Sequence, residues 1–509
     1  MSSSVKLSIS PDFKDIYLLA DEVPVFKTFL SGKWFLGSET FDVKTPIDGS
    51  LIARVSKPDW FLVEDSLRMM REVGRWRVRD LPGDKRLEII FKTADLLESR
   101  LEDFTEVLVL NAGKLRSQAK GEVTASIERL RKAPLDLRSI YGDYVPGDWS
   151  FQTLESEAVV RREPYGVVLS IIPYNYPLFD TVNKFTYSFV AGNAVLIKPP
   201  SADPLVVLMF VKTALDAGVP PESIGVVTLS GKEMSKLVSD PRIDVISFTG
   251  STEVGKEVLR SAGIKQFIME LGGGDPVIVL SDANLEVASQ KIVTGITSYA
   301  GQRCDAIKIV IVEESVYEDL KNMLVRDLSK VRVGDPRSEE SGMGPLIDER
   351  SVNEVIEAVN DALRLGGKIL YGGRRLGPTY VEPTLIEITD KKALEKAKLY
   401  KDEVFGPIAL ITSFRDLDEA VRIANGRRYG LDAAIFGHDI VKIRKLVRYL
   451  EVGVIYVNEF PRHGIGYYPF GGRKESGIGR EGIGYSIEQV TALKTIIYNY
   501  RGTGIWHYM

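Results

Sequence analysis

The chain runs to 509 residues, enough for two or three domains with a substantial core. Its 66 lysines and arginines stand against 70 aspartates and glutamates with no long block of one sign, so no nucleic-acid or membrane surface is expected and a small molecule is the natural partner. A single cysteine excludes an intramolecular disulfide and a cysteine-rich metal site, while the lack of an apolar leader or of any run near roughly 18 apolar residues predicts a soluble cytoplasmic protein, with no metal.

In chain order, "SGKWFLGSETFDVKTPIDGSLIARV" predicts short antiparallel strands around turns at Pro46 and Asp48-Gly49. "LVEDSLRMMREV" and "DKRLEIIFKTADLLESRLEDFTEVLVLNAG" carry helical apolar spacing. "EAVVRREPYGVVLSIIPY" reads as one strand followed by a fully buried second. From there "AVLIKPP", "PLVVLMFVKTALDAG", "IGVVTLSG", "DVISFTG", "STEVGKEVLRSAG" and "QFIMELGG" mix continuous apolar strands with helices, which predicts a parallel, doubly wound sheet. A second α/β section runs from "PVIVL" to "GVIYVN". Helix "NLEVASQKIVTGITSYAG" should deliver the lone thiol, Cys304, to the entrance of strand "KIVIVEE". The tail strand "EQVTALKTIIYNY" has no following partner and should join a sheet elsewhere.

A free cysteine is ordinarily a small buried hydrophobe. Around Cys304, however, Gly301, Gln302 and Arg303 are polar and turn-like, and an adjacent guanidinium should favour the thiolate. A cysteine-hydrolase pairing would need a histidine, and only His438, His463 and His507 exist, none with a local signature. "FTGSTEVG" joins a strand to a helix through Gly250, Ser251 and Gly255, an arrangement able to hold a pyrophosphate on backbone amides, although a plain tight turn has the same look. "IKPPSADP" ends a buried strand on Lys198. "MELGGGDP" ends another on Glu270, where α/β sheets keep their ligands.

Together these pieces resemble the aldehyde dehydrogenase superfamily over nearly the whole chain. "PYNYP", "IKPP", "FTGST", "ELGGG", "GQRC", "DEVFGP" and "PFGGRKESGIGRE" occur in family order. The resemblance implies two doubly wound parallel-sheet domains and a small β oligomerisation domain. Their boundaries would be 1–144 with 164–271 for the cofactor, 272–475 for catalysis, and 145–163 with 476–509 for assembly into a homo-oligomer, a tetramer by the family's habit. It also implies roles. Cys304 is the nucleophile, Asn175 an oxyanion donor and Glu270 the base that activates water. Lys198, Ser201, Gly250, Ser251, Gly255, Glu403, Phe405, Pro173 and Leu271 are the cofactor-binding positions.

Glu270 favours hydrolysis over transfer to coenzyme A. Ser201 stands where NAD-preferring relatives carry a glutamate, so NADP is expected, with NAD possible. Tyr176, Arg303 and Arg462 match the substrate-phosphate positions of the archaeal non-phosphorylating glyceraldehyde-3-phosphate dehydrogenase branch, and paired guanidinium forks suit an anionic aldehyde. A further arginine of that branch aligns with Ala125, leaving Arg129 or Arg131 as substitutes. The expected reaction is oxidation of D-glyceraldehyde 3-phosphate to 3-phosphoglycerate. Alternatives are a semialdehyde dehydrogenase of the same mechanism and an inactive structural protein on this fold.

Overall fold

The computed structural model describes residues 7–501, apart from Asp21, Ser230 and the side chain of Lys232. His507 lies outside the described residues. The protein is built on two large sheets that meet at the catalytic candidates.

The first sheet has eight strands, in spatial order Gly477–Ile478, Gln266–Glu270, Val245–Thr249, Val167–Ile171, Ala194–Lys198, Ile224–Val226, Thr28–Leu30 and Lys33–Phe35. The middle five run parallel. Successive residues of a strand point to opposite faces, and here both faces are covered. Val168, Val195 and Ile197 enter one core, with helices Gly83–Ser99, Leu101–Ala112 and Leu205–Ala217, while Leu169, Leu196 and Ile246 enter the other, with Trp60–Met69 and Thr252–Ala262. That double burial is why these strands read as continuous apolar runs.

The second sheet has seven strands, Lys368–Tyr371, Thr384–Glu387, Ile408–Phe414, Ile307–Glu313, Asp275–Val279, Asp432–Phe436 and Val454–Val457, all parallel except the first. The tail strand Thr491–Asn499 pairs antiparallel with Ser156–Pro164, which pairs with Asp143–Pro146, so the tail joins a distant sheet as expected. A four-stranded sheet near the N-terminus contains the predicted strands around Pro46.

Helix Pro177–Ala191 was not anticipated. Leu178, Val182, Phe185 and Phe189 nevertheless recur at helical spacing, and thirteen of its fifteen residues are buried, the polar Thr181, Lys184 and Ser188 among them. Between the two sheets the chain crosses through Gly272–Gly274, and this crossing abuts the thiol. A Cβ on Gly273 would stand 2.1 Å from the Cys304 carbonyl oxygen.

Candidate active site

Helix Leu285–Thr297 ends just before the thiol, and the chain then turns through three consecutive left-handed residues, Tyr299, Ala300 and Gly301, with φ of 48°, 52° and 68°. Gly301 answers two demands at once, because a Cβ there would also sit 2.2 Å from the Gly406 carbonyl oxygen. Side chains brace the turn. Buried Lys308 donates to the carbonyls of Gly406 (2.5 Å) and Gly301 (3.3 Å), and burial lowers its pKa to about 7. Gln302 donates to Tyr299 and Pro345 carbonyls while its Oε1 accepts the Ile347 N–H at 2.8 Å. Cys304 is thereby presented at the entrance of Ile307–Glu313, where the sequence places it.

Two cavities meet at this thiol and share Asn175, Thr249 and Cys304 in their walls. The first, about 370 Å³, also holds Tyr176, Arg303 and Arg462. The second, about 480 Å³, is walled by Pro173, Gly250, Ser251, Leu271, Glu403 and Phe405. Of the predicted cofactor positions, Lys198, Ser201 and Gly255 are not among its lining residues, although Pro200 and Ala202 of the same turn are. Gly255 acts one layer back. A Cβ on it would lie 2.4 Å from Leu271 Cδ2, so its absence lets helix Thr252–Ala262 close onto Leu271.

The second cavity fits a nucleotide cofactor. It lies at the C-terminal ends of parallel strands, beside the N-terminus of helix Thr252–Ala262. Ser251 caps that helix, its hydroxyl accepting the Val254 N–H. Glu403 Oε1 accepts the Gly273 N–H at 3.0 Å, and burial raises its pKa to about 7. Lys198 has only desolvation acting on it, which lowers its ammonium to about 8.

The first cavity corrects two expectations. Arg303 was expected to favour the thiolate, but its guanidinium binds Asp305 (2.7 Å) and the Pro461 carbonyl (2.6 Å). Burial, reinforced by Asp305, Glu403, Asp432 and Asp275, instead pushes the Cys304 thiol well above its usual range. Nor do Arg129 and Arg131 substitute at Ala125. Arg129 is fully buried in an ion pair with Asp136 (2.9 Å), and Arg131 lies on the surface with Glu98, whereas Ala125 itself lines the cavity. Arg462 remains the more available guanidinium. Its side chain is 62% exposed, with Glu459 at 3.4 Å. Tyr176 is covered on one face by the ammonium of Lys114, 3.9 Å from the ring centroid.

Glu270 is 2% exposed, lies outside both sets of lining residues, and has neither carboxylate oxygen hydrogen-bonded. Burial, with Glu481 nearby, raises its pKa well above the carboxylate range; Lys184 opposes this. Lys184 is ion-paired to Glu481. Neither residue was singled out from the sequence, and a lysine inside a helix otherwise buried gave no signal of its partner far along the chain. Asp305 and the proximity of His463 were likewise missed, since charge pairing in a folded site leaves no local pattern.

A family model for the aldehyde dehydrogenase family matches residues 34–496. The chain belongs to the aldehyde dehydrogenase family. It is 29% identical to a sulfoacetaldehyde dehydrogenase of Neptuniibacter caesariensis over 90% of this chain and all of that one. A lactaldehyde dehydrogenase of Methanocaldococcus jannaschii is 33% identical, covering 92% and 99% of the two chains. Among solved structures, an NADP-dependent glyceraldehyde-3-phosphate dehydrogenase from Bacillus halodurans, complexed with NADP, superposes with a TM-score of 0.88 at 32% identity, covering 93% of this chain and 99% of that one. This aldehyde dehydrogenase therefore shares its fold, over nearly its whole length, with enzymes of differing named substrates. Among the described residues, no helix is long and apolar enough to cross a membrane.

Proposed function

We propose that this aldehyde dehydrogenase oxidises D-glyceraldehyde 3-phosphate irreversibly to 3-phosphoglycerate, using NADP and consuming no inorganic phosphate. The observation that carries the reading is the junction itself: one thiol and one carboxamide stand where two cavities meet, so an aldehyde from one side and a cofactor from the other reach the same sulfur. Cys304 loses its thiol proton to solvent and adds through Sγ to the aldehyde carbon. The Asn175 amide and the Cys304 backbone N–H donate to the oxyanion that develops, a contribution typically worth about 100- to 1000-fold per donor. A nicotinamide cofactor, when bound in the second cavity, supplies the acceptor for the hydride that converts the adduct to a thioester. Glu270 then takes a proton from the water that attacks this thioester, releasing the acid and restoring the thiol. Its unpaired carboxylate has no hydrogen bond to break when it turns toward the sulfur.

The anion is assigned to Arg462 at the cavity mouth, with Tyr176 and Arg303 in the wall. NADP is supported by the uncharged Ser201 and the ammonium of Lys198, and by the cofactor bound to the Bacillus halodurans relative. A carboxylate-bearing semialdehyde is the second reading. It is favoured by the pairing of Arg303 with Asp305 and by Ala125, which together leave less positive charge than a phosphate dianion would use. The sulfoacetaldehyde dehydrogenase among the relatives also points to a short anionic aldehyde. The inactive-protein reading is disfavoured by the presence of Cys304, Asn175 and Glu270 together.

The proposed division places the cofactor on residues 1–144 and 164–271, catalysis on 272–475, and assembly on 145–163 and 476–509. Leu493 and Ile497, 62% and 69% exposed on the tail strand, suit burial in a homo-oligomer, for which a tetramer is proposed. The deciding experiment measures kcat/KM for glyceraldehyde 3-phosphate and succinate semialdehyde, each with NADP and with NAD. The proposal expects the phosphorylated aldehyde with NADP to lead. A faster semialdehyde reaction overturns the substrate and leaves the mechanism standing.

A further inference from the structure

Lys114 and Glu122, in the wall of the first cavity, form an ion pair whose side chains are 1% and 0% exposed. The proposed chemistry uses neither. Two charges are costly to take out of water, so what this pair holds in place bears on why it is there. Glu122 Oε1 accepts the N–H groups of Leu178 (3.0 Å) and Phe179 (3.1 Å), the second and third residues of helix Pro177–Ala191. It thereby caps that helix from outside, since Tyr176 at the N-cap position supplies no side-chain cap. The ammonium of Lys114 meets two rings, 3.9 Å from the centroid of Tyr176 and 4.6 Å from that of Tyr299.

These tyrosines belong to opposite sides of the reaction centre. Tyr176 directly follows Asn175, and Tyr299 opens the left-handed turn that delivers Cys304. Tyr299 is itself tied down, its hydroxyl donating to the Ala112 carbonyl at 2.7 Å, two residues before Lys114. Asn175 makes no side-chain hydrogen bond among the described residues, so its carboxamide is placed by the segment that carries it. We infer that Lys114 and Glu122 are positioning residues: the pair clamps Tyr176 and the first turn of helix Pro177–Ala191 against Tyr299, which holds the Asn175 amide in register with Cys304 Sγ. The clamp acts through Asn175 and not on the substrate. An oxyanion donor works only if it is fixed before charge develops, and a displacement of about 1 Å can cost roughly 100-fold in rate. The inference deepens the proposed function and rests on its assignment of Asn175 as oxyanion donor.

A double-mutant cycle read in single turnover tests it. Lys114→Met and Glu122→Gln are combined, so that no charge is left buried alone and the glutamine oxygen still accepts the two helix amides. The rate of the burst of reduced cofactor is measured with NADP, on propanal and on glyceraldehyde 3-phosphate. Four enzymes are compared: wild type, the paired variant, Asn175→Ala, and all three substitutions together. A burst rate, unlike its amplitude, is unaffected by any fraction that fails to fold. The paired variant should slow the burst roughly 10- to 100-fold with both aldehydes, and Asn175→Ala about 100- to 1000-fold. Once Asn175 is gone its placement no longer matters, so the paired substitution should then cost less than about threefold more. Tyr176→Leu, which leaves the ion pair and removes the ring it holds, should slow propanal by a similar factor and be masked in the same way. That variant decides the question if the paired one yields no folded enzyme. An undiminished burst in the paired variant, or a full further loss in the Asn175→Ala background, overturns the inference and leaves the oxyanion donor standing. A loss confined to glyceraldehyde 3-phosphate overturns it as well, since Lys114 would then be meeting the substrate's anion. An unchanged burst in Asn175→Ala removes the proposed oxyanion donor, and the inference with it.

Discussion

The two cavities that meet at Cys304 are made of different material. The second is a product of backbone. Residues 171–173, 248–251 and 271 are the ends of neighbouring parallel strands and the turns that follow them, and glycines set how closely the pieces approach. The first is a product of side chains gathered from helices Arg116–Arg131 and Pro177–Ala191 and from loops around 303, 462 and 481. Its charges are engaged with one another in advance: Lys114 with Glu122, Arg303 with Asp305, Lys184 with Glu481. A receptor of strand ends is dictated by short stretches of chain, whereas the field inside a side-chain receptor depends on which partners the fold delivers.

The largest test falls on the atom common to both. Cys304→Ser should lower kcat by about 10,000-fold or more, with far-UV circular dichroism unchanged, because a serine hydroxyl lacks the sulfur's nucleophilicity here. Retained turnover would detach the chemistry from the junction altogether. Next in size is Glu270→Gln, expected to cost roughly 100- to 1000-fold in steady state while a single-turnover burst of reduced cofactor survives. The pH dependence has a definite sign. Glu270 must be ionised to take a proton, and burial raises its pKa, so the rate should climb with pH through that elevated value, and the variant should lose this limb. A pH profile of thioester hydrolysis unchanged in the variant would assign the base elsewhere.

Backbone dependence can be broken at Gly301. Alanine there meets both a φ of 68° and the Gly406 carbonyl oxygen, so the turn must shift. Gly301→Ala should lower the melting temperature and reduce kcat about tenfold through misplacement of the thiol. The same distinction explains how much the sequence disclosed. The buried strands, the glycine turns and the thiol's place between helix Leu285–Thr297 and strand Ile307–Glu313 follow from local apolar runs and turn residues, and the structure has them there. The direction in which Cys304 titrates did not follow. The adjacent Arg303 was visible, but Asp275 and Asp432, which lie far off in sequence and are buried with Asp305 near the thiol, were not. Helix Pro177–Ala191 was overlooked although its apolar spacing is helical; what local sequence could not disclose is the partner of its buried Lys184, which is Glu481, 297 residues further along the chain.

The smallest effect is the most discriminating about the side-chain cavity, because it separates two arginines that look alike in sequence. Arg462 is exposed at the mouth and loosely held, so its removal should cost little stability, as is usual for an exposed ion pair. Arg462→Ala should therefore raise KM for glyceraldehyde 3-phosphate some three- to tenfold, leave kcat nearly constant, and spare propanal, whose binding has no anion to lose. Raised salt should weaken the wild-type advantage, since a charge contact open to solvent is screened. Arg303→Ala should behave differently. Stripping Asp305 of its buried partner should cost about 3 kcal/mol or more of stability and impair charged and neutral aldehydes alike. If Arg303→Ala were instead stable and selectively blind to the phosphate, the pairing with Asp305 would have to open when substrate binds, and the first cavity would be a receptor assembled by its ligand.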